Sequence, residues 1–325
     1  MTWTVSAPAR LHFGLIDLTG DHGRIDGGAG VAIERPRVVV RAGRGRGRLR
    51  MPPETADQAR ALADRLRIDL AAIDVELISR FPSHVGLGSH TQLALALGTV
   101  MCRAAGQVRS VREIALAAGR GGTSGIGVNV FTAGGLVVDG GHAFGPGKEK
   151  ESCLPSSASR AGVAPLLARS QLPEAWRFAL VTPGTERGAH GKREVELFEE
   201  AFPLPAAETG EVCRHVLLEL MPGAAAGDLE LFGRGLSALQ RVGFKRREVG
   251  LQPEPIRQLL DVMTEAGAAG AGLSSFGPTV YAIAGDQERA AAAVAAAHEH
   301  LARHGIAAEG WTAAPDTMGA VIEER

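Results

Sequence analysis

Three stretches of this chain hold residue types that bind anions, and spacing does more of that work than charge. In the run over 82–98, PSHVGLGSHTQLALALG, Gly86 and Gly88 precede Ser89, His90, Thr91 and Gln92, and Leu93, Leu97, Val100 and Met101 then recur at helical spacing. A glycine turn admits backbone angles and a closeness of approach that a side chain forbids. The first-turn amides of the helix that follows carry partial positive charge, which makes the join a seat for phosphate. Ser89 to Gln92 also fits the S-x-x-Q capping box, which would use both side chains on orphan backbone donors with no ligand involved. That reading leaves the two glycines and Thr91 unexplained. The run is not a P-loop, since no Gly-Lys-Ser/Thr follows, and the G-x-G-x-x-G spacing is absent.

A second glycine cluster spans 121–127, with Thr123 and Ser124 as hydroxyl donors, and a plain turn competes equally with an anion loop there. A third, GAAGAGLSSFGPTVYAIAG, carries Ser274 and Ser275. The segment over 17–30 reads as a loop dense in special residues: Asp17, Asp21, His22, Arg24 and Asp26, then Gly27, Gly28 and Gly30. Such residues are common turn formers. A carboxylate and a guanidinium fixed in one loop also suit a sugar pyrophosphate and its metal. His142, after Asp139-Gly-Gly, reads as structural or as a ligand, and the run Glu186, Arg187, His190, Lys192, Arg193 as a solvated turn or an anion contact.

The elements that must position these groups follow from periodicity. A strand over 5–14, interrupted by Pro8, delivers Arg10-Leu11-His12-Phe13-Gly14; strands follow over 31–33 and 37–41, then a solvated tip at GRGRGRLR and a helix over 55–67. Val75, Leu77 and Ser79 alternate as a strand before the glycine turn. Ser110 to Glu113 is a capping box opening a helix over 114–118, closed by Gly119. Residues 128–138 read as a hairpin turning at Ala133-Gly134-Gly135. The stretch 145–160 shifts to Gly, Pro, Lys, Glu and Ser and reads as an exposed crossing segment or lid near a domain boundary. Beyond a strand over 177–182, helices are expected over 211–220, 228–241, 256–266 and 287–303, a surface corner at Gly243-Phe244-Lys245-Arg246-Arg247, and a terminal strand region over 310–322.

Composition bounds the possibilities. The 325 residues suffice for two packed domains, 45% hydrophobic content is ordinary for a soluble protein, and the net charge of -1 recruits neither nucleic acid nor membrane. Aromatic content of 4% leaves no base-stacking surface. Cys102, Cys153 and Cys213 lack any C-x-x-C pattern, and the start MTWTVSAPARLHF has no signal-peptide pattern, so a reducing cytoplasm is the expected compartment.

Pro82-x-x-x-Gly86-Leu87-Gly88-Ser89 resembles the phosphate loop of the galactokinase, homoserine kinase and mevalonate kinase (GHMP) superfamily, with His90 and Thr91 departing from its Ser-Ala. The longer HVGLGSHTQ, together with ARLHFGLIDL, GRIDGGAGVAIE, GRGGTSGIG, FTAGGLVVDGGH, TERGAHGKREVELF and GLSSFGPTVYA, is similar to a non-kinase branch. These are the β-ribofuranosylaminobenzene 5'-phosphate synthases, with the C-nucleoside synthases of formycin type. The resemblance implies an α+β, GHMP-kinase-like fold of two domains, a ribosomal protein S5-like domain over 1–165 and a ferredoxin-like domain over 166–325. It implies transfer of ribose 5-phosphate from phosphoribosyl pyrophosphate to an aromatic acid, 4-hydroxybenzoate, 4-aminobenzoate or a pyrazole dicarboxylate, with loss of pyrophosphate and carbon dioxide. Asp17 and Arg24 would be catalytic, with Asp17 on a magnesium ion. The donor would lie on Gly86, Leu87, Gly88, Ser89, His90, Thr91, Gln92, Thr123 and Ser124. The aromatic acid would meet His12, Asp26, His142, Arg187, His190, Ser274 and Ser275. A homodimer with small-molecule substrates and no nucleic-acid or membrane partner completes the expectation. The alternatives are an ATP-dependent small-molecule kinase of the same superfamily and a nucleotide-binding regulator on a degenerate kinase scaffold.

Overall fold

The computed structural model describes residues 1–156, 158–185, 188–189 and 191–325. Its first long element is β1 (Thr2–Asp17), antiparallel to β2 (Arg24–Arg44), with ladder slips at Pro8/Ala9 and at His12/Gly14. The first slip leaves Glu34, Arg35 and Pro36 of β2 without partners on β1, and Pro36 has no N–H to give the ladder. Strand alternation then puts Ala9, Leu11 and Phe13 into the core and turns Arg10 and His12 to the other face. That alternation is what brings a cation and an imidazole to the site.

Further along come β3 (Leu49–Arg50), β4 (Ile73–Ser79), β5 (Leu136–Asp139), β6 (His142–Ala143) and β7 (Leu166–Ser170), all in one sheet with β1 and β2. Helices α1 (Pro53–Leu66), α2 (Ser89–Ala104), α3 (Val111–Ala117) and α4 (Ile126–Ala133) belong to this half, with α2 and α4 packed on β1 and β2. The second sheet holds β8 (Arg177–Pro183), β9 (Gly270–Leu273), β10 (Val280–Ala284) and β11 (Ala308–Ala313) in the order β11-β8-β10-β9. Around it lie α5 (Lys192–Ala201), α6 (Ala206–His215), α7 (Met221–Ala226), α8 (Leu229–Leu239), α9 (Gly243–Gly250), α10 (Glu254–Glu265) and α11 (Gln287–Arg303).

The last strand, β12 (Val321–Glu324), returns to pair with β1. The expected boundary at 165/166 precedes β7, which still pairs with β5, and the two sheets divide between Ser170 and Arg177. The halves share a core: Phe13 of β1 stacks on Tyr281 of β10 at 5.6 Å between ring centroids and meets Phe232 of α8 edge-on at 6.2 Å. Each such buried ring contributes about 2 kcal/mol, so the two halves are packed on each other.

Several expectations are corrected. The loop over 17–30 is shorter, because β2 already begins at Arg24, and Asp26, Gly27, Gly28 and Gly30 are strand residues. The hairpin over 128–138 is instead α4 followed by β5. Val128, Val130 and Phe131 are all buried, so the segment has no polar face to reveal a helical period. The crossing segment over 145–160 is pinned by the buried Lys150 and Cys153. The basic corner at 243–247 is only partly surface: Gly243, Phe244 and Lys245 are buried, while Arg246 and Arg247 are exposed. The capping box at Ser110 and Glu113 forms as expected. Among the described residues no helix is long and apolar enough to cross a membrane.

Candidate active site

The glycine turn before α2 is held open by its neighbours. Gly86 (φ +90°) and Gly88 (φ +78°) sit in the left-handed region, and a Cβ on Gly86 would collide with the Ser274 carbonyl. The Gly86 carbonyl accepts from the Arg10 guanidinium and from the Ser274 hydroxyl at 2.7 Å. Ser274 is itself fixed by the His12 amide, which donates to its hydroxyl at 3.0 Å. The turn is therefore tied to β1 and to the loop after β9, one from each half.

Among the described residues no side chain caps α2. Gly88 is the N-cap, Ser89 is the first helical residue, and the Gln92 amide turns away to donate to the Gly127 carbonyl at 2.8 Å. The capping box read from Ser89 and Gln92 does not form, because a glycine has taken the cap position and Gln92 joins α2 to α4. The positive end of α2 thus faces a cavity of about 470 Å³ lined by Gly86, Gly88, Ser89, His90 and Thr91. Arg10, His12, Arg120, Thr123, Ser124, Glu194, Glu248 and Ser275 line its other walls.

Beneath the cavity lies a charged cluster. Lys245 of α9 donates from Nζ to the carbonyls of Leu273 and Ser275, both at 3.2 Å. Glu248 Oε2 lies 2.5 Å from that Nζ, but it makes no well-aligned hydrogen bond, so the contact is a charge pairing more than a directed bond. Burial pushes the Lys245 ammonium down, and the charge and contact of Glu248 oppose that shift. Arg10 is pushed down to about 10 by burial, again with Glu248 opposing. His12 is held well below its ordinary value by burial first and then by the charges of Arg10 and Lys245, so its imidazole is neutral. Its Nε2 lies 3.2 Å from the Ser124 hydroxyl, and its buried Nδ1 has no hydrogen-bond partner among the described residues. Two cations against one carboxylate leave this wall positive, which favours an anion, while Arg120 and Glu194 in the lining offset each other. The thiol of Cys153 is pushed up to about 12, by burial and then the Asp26 charge, so it supplies no thiolate.

A second buried cluster sits outside the cavity. His142 Nδ1 faces Asp26 Oδ2 at 2.7 Å and its Nε2 faces the Gly162 carbonyl at 3.0 Å, so both ring nitrogens meet acceptors. Burial works against the charged ring, yet the Asp26 contact outweighs it and the pKa rises. Lys150 Nζ donates to both Asp26 oxygens at 3.1 and 2.9 Å and to the Leu154 carbonyl at 3.1 Å. Thr123 also donates to Leu154, at 2.6 Å.

Of the residues expected to bind, Gly86, Gly88, Ser89, His90, Thr91, Thr123, Ser124, His12 and Ser275 line one cavity. Leu87 is core, Gln92 and Ser274 are buried supports behind the lining, and Asp26 and His142 belong to the closed cluster. Arg187 and His190 lie outside the described residues. Asp17 and Arg24, expected as catalytic with Asp17 on a metal, lie outside the cavity lining. Asp17 Oδ1 accepts from the Thr19 amide at 2.7 Å and the Thr209 hydroxyl at 3.2 Å, while Arg24 donates to the Gly140 and Gly141 carbonyls, and neither lines the cavity. Among the described residues no three His, Cys, Asp or Glu side chains group to hold a metal. The sequence reading missed Arg10, Arg120, Lys245 and Glu248. For the last pair the signal was present, since Lys and Glu three apart in a helix share a face.

Family models for the GHMP kinases match this chain, the N-terminal domain over residues 55–135 and the C-terminal over 220–303. Homoserine kinase from Cytophaga hutchinsonii superposes with a TM-score of 0.67 over 99% of this chain and 97% of that one; at 16% identity the likeness is one of fold. The β-ribofuranosylphenol 5'-phosphate synthase of Archaeoglobus fulgidus is 42% identical over 286 residues, 85% of this chain and 86% of that protein. The protein of the same name from Methanothermobacter thermautotrophicus is 40% identical over 292 residues, 86% of this chain and 88% of that one. The uncapped helix start and positive wall thus occur in a chain with the GHMP kinase fold that belongs to the β-ribofuranosylphenol 5'-phosphate synthase family, and the chain is a transferase.

Proposed function

We propose that this chain transfers the 5-phosphoribosyl group of phosphoribosyl pyrophosphate to a ring carbon of an aromatic carboxylic acid, with release of pyrophosphate and carbon dioxide. The observation that carries the reading is the uncapped start of α2 opening into a cavity beside Arg10. A diphosphate leaving group develops charge as it departs, and preorganised donors at that point stabilise the charge as it forms. The relatives named for a ribofuranosylphenol product favour 4-hydroxybenzoate as acceptor. 4-Aminobenzoate and a pyrazole dicarboxylate are the further candidates.

In the proposed step the bond between ribose C1 and the pyrophosphate oxygen breaks, and the electron pair leaves with pyrophosphate. The ring carbon bearing the carboxylate supplies π electrons for the new carbon–carbon bond. The carboxylate's bond to the ring then breaks, its electrons restore aromaticity, and carbon dioxide departs. The substrate is its own nucleophile, so a Ser-His-Asp relay is not required. The chain's part is to seat the diphosphate at α2, to hold Thr123 and Ser124 on the donor side, and to present His12 and Ser275 to the ring.

Magnesium belongs to this proposal as an ion carried on the pyrophosphate, because such ions bind through substrate phosphates with few protein ligands. The only carboxylates among the described cavity residues are Glu194 and Glu248, and Glu248 is committed to Lys245. A homodimer stays part of the proposal for the assembly.

Incubation with magnesium, phosphoribosyl pyrophosphate and 4-hydroxybenzoate tests the reading. Equal amounts of pyrophosphate and carbon dioxide, released only with both substrates present, are expected. ADP formation from ATP with a panel of hydroxylated acceptors, and no ribosylated ring, would instead support the kinase alternative.

A further inference from the structure

We propose that Arg120 is a second anion seat, which takes the phosphomonoester end of a sugar phosphate while the start of α2 takes the diphosphate end. The inference rests on the ribosyl-transfer reading above, whose donor carries anions at both ends of one ribose. A single helix end cannot hold both.

Arg120 follows the end of α3, with its backbone amide fixed to the Ala115 carbonyl at 2.8 Å, and it lines the cavity with Thr123 and Ser124. Its Nε is buried and has no hydrogen-bond partner among the described residues. Burial pushes the guanidinium pKa down, and the charge of Glu194, another cavity residue, is what opposes the shift. A partly exposed guanidinium whose buried Nε is unmet is short of an acceptor there, and its planar fork matches a phosphate in two-point contact. Arg10 does not fill that role, since its guanidinium is drawn to the Gly86 carbonyl and the Glu248 charge. The two arginines therefore divide the work: Arg10 shapes the α2 turn, and Arg120 waits for ligand.

Two probes separate the seats. Calorimetric titration with ribose 5-phosphate alone and with inorganic pyrophosphate alone is run on the wild type, Arg120→Gln and Arg120→Lys, each checked by thermal melt. Arg120→Gln should weaken ribose 5-phosphate about tenfold or more and leave pyrophosphate within about twofold, with Arg120→Lys between. The seat is overturned if ribose 5-phosphate binds Arg120→Gln as it binds the wild type, if pyrophosphate is weakened equally, or if the wild type fails to bind ribose 5-phosphate at millimolar concentration. Should Arg120→Gln fail to fold, the same comparison is read from Arg120→Lys. Neither titration needs turnover, so failure to form a ribosylated ring would sink the proposed reaction while leaving the seat measurable.

Discussion

Two buried clusters in this chain each join a histidine, a lysine and a carboxylate, and they have opposite characters. In Asp26, His142 and Lys150, each ring nitrogen of the histidine faces an acceptor, and the lysine reaches both carboxylate oxygens. In His12, Lys245 and Glu248, the lysine holds Glu248, but the His12 Nδ1 has no hydrogen-bond partner among the described residues, and His12 and Glu248 line the cavity. Residue type does not separate them. Unspent hydrogen-bonding capacity beside open space marks the site, and completed pairing marks the scaffold.

The largest effect should come from breaking the completed cluster. Asp26→Asn keeps the shape but leaves the buried Lys150 ammonium without its carboxylate, so urea unfolding should lose about 3–5 kcal/mol; an unchanged midpoint would show that the cluster is not structural. In the open region, Gly86→Ala meets both the left-handed backbone and the Ser274 carbonyl. Turnover should fall about 100-fold or more, equivalent to about 3 kcal/mol of transition-state stabilisation. Activity within a factor of a few of wild type would dissociate the turn from the chemistry. Ser124→Ala removes the partner of the neutral His12, and kcat/KM should fall about tenfold while stability moves by less than about 1 kcal/mol. The reverse pattern, stable loss without kinetic loss, would move Ser124 to the scaffold.

The smallest effect is a difference in sign with pH. His142 has a raised pKa, so between its ordinary 6.5 and that higher value the folded chain keeps a proton which the unfolded chain has released. Its contribution is present below pH 6.5 and is lost as pH rises through the folded value. His12 is lowered, so below pH 6.5 the unfolded chain gains a proton that the folded chain refuses, and stability falls as pH falls. Urea unfolding across pH should lose its alkaline limb in His142→Gln and its acid limb in His12→Gln. Parallel responses of the two variants would remove the distinction.

The sequence made the phosphate turn legible because backbone strain and helix onset leave local marks: Gly86, Gly88 and the leucines after them. Ser110 and Glu113 were legible for the same local reason. Ser89 and Gln92 carry the same pattern but fold differently, because the choice of cap depends on Gly127, thirty-five residues beyond Gln92. The helix α4 was hidden by burial on every side. Asp17 and Arg24 matched a family pattern, yet their partners, Thr209 and the carbonyls at 140 and 141, arrive from far along the chain. Lys245 reads as surface charge until Glu248 and the Leu273 carbonyl are known to meet it.

A crystal structure with phosphoribosyl pyrophosphate and magnesium bound measures the central claim directly. The account predicts pyrophosphate oxygens within hydrogen-bond distance of the amides at the start of α2, on the side of Arg10 and Ser124. Pyrophosphate bound instead at Asp17 and Arg24, or within the Asp26 and His142 cluster, would contradict it.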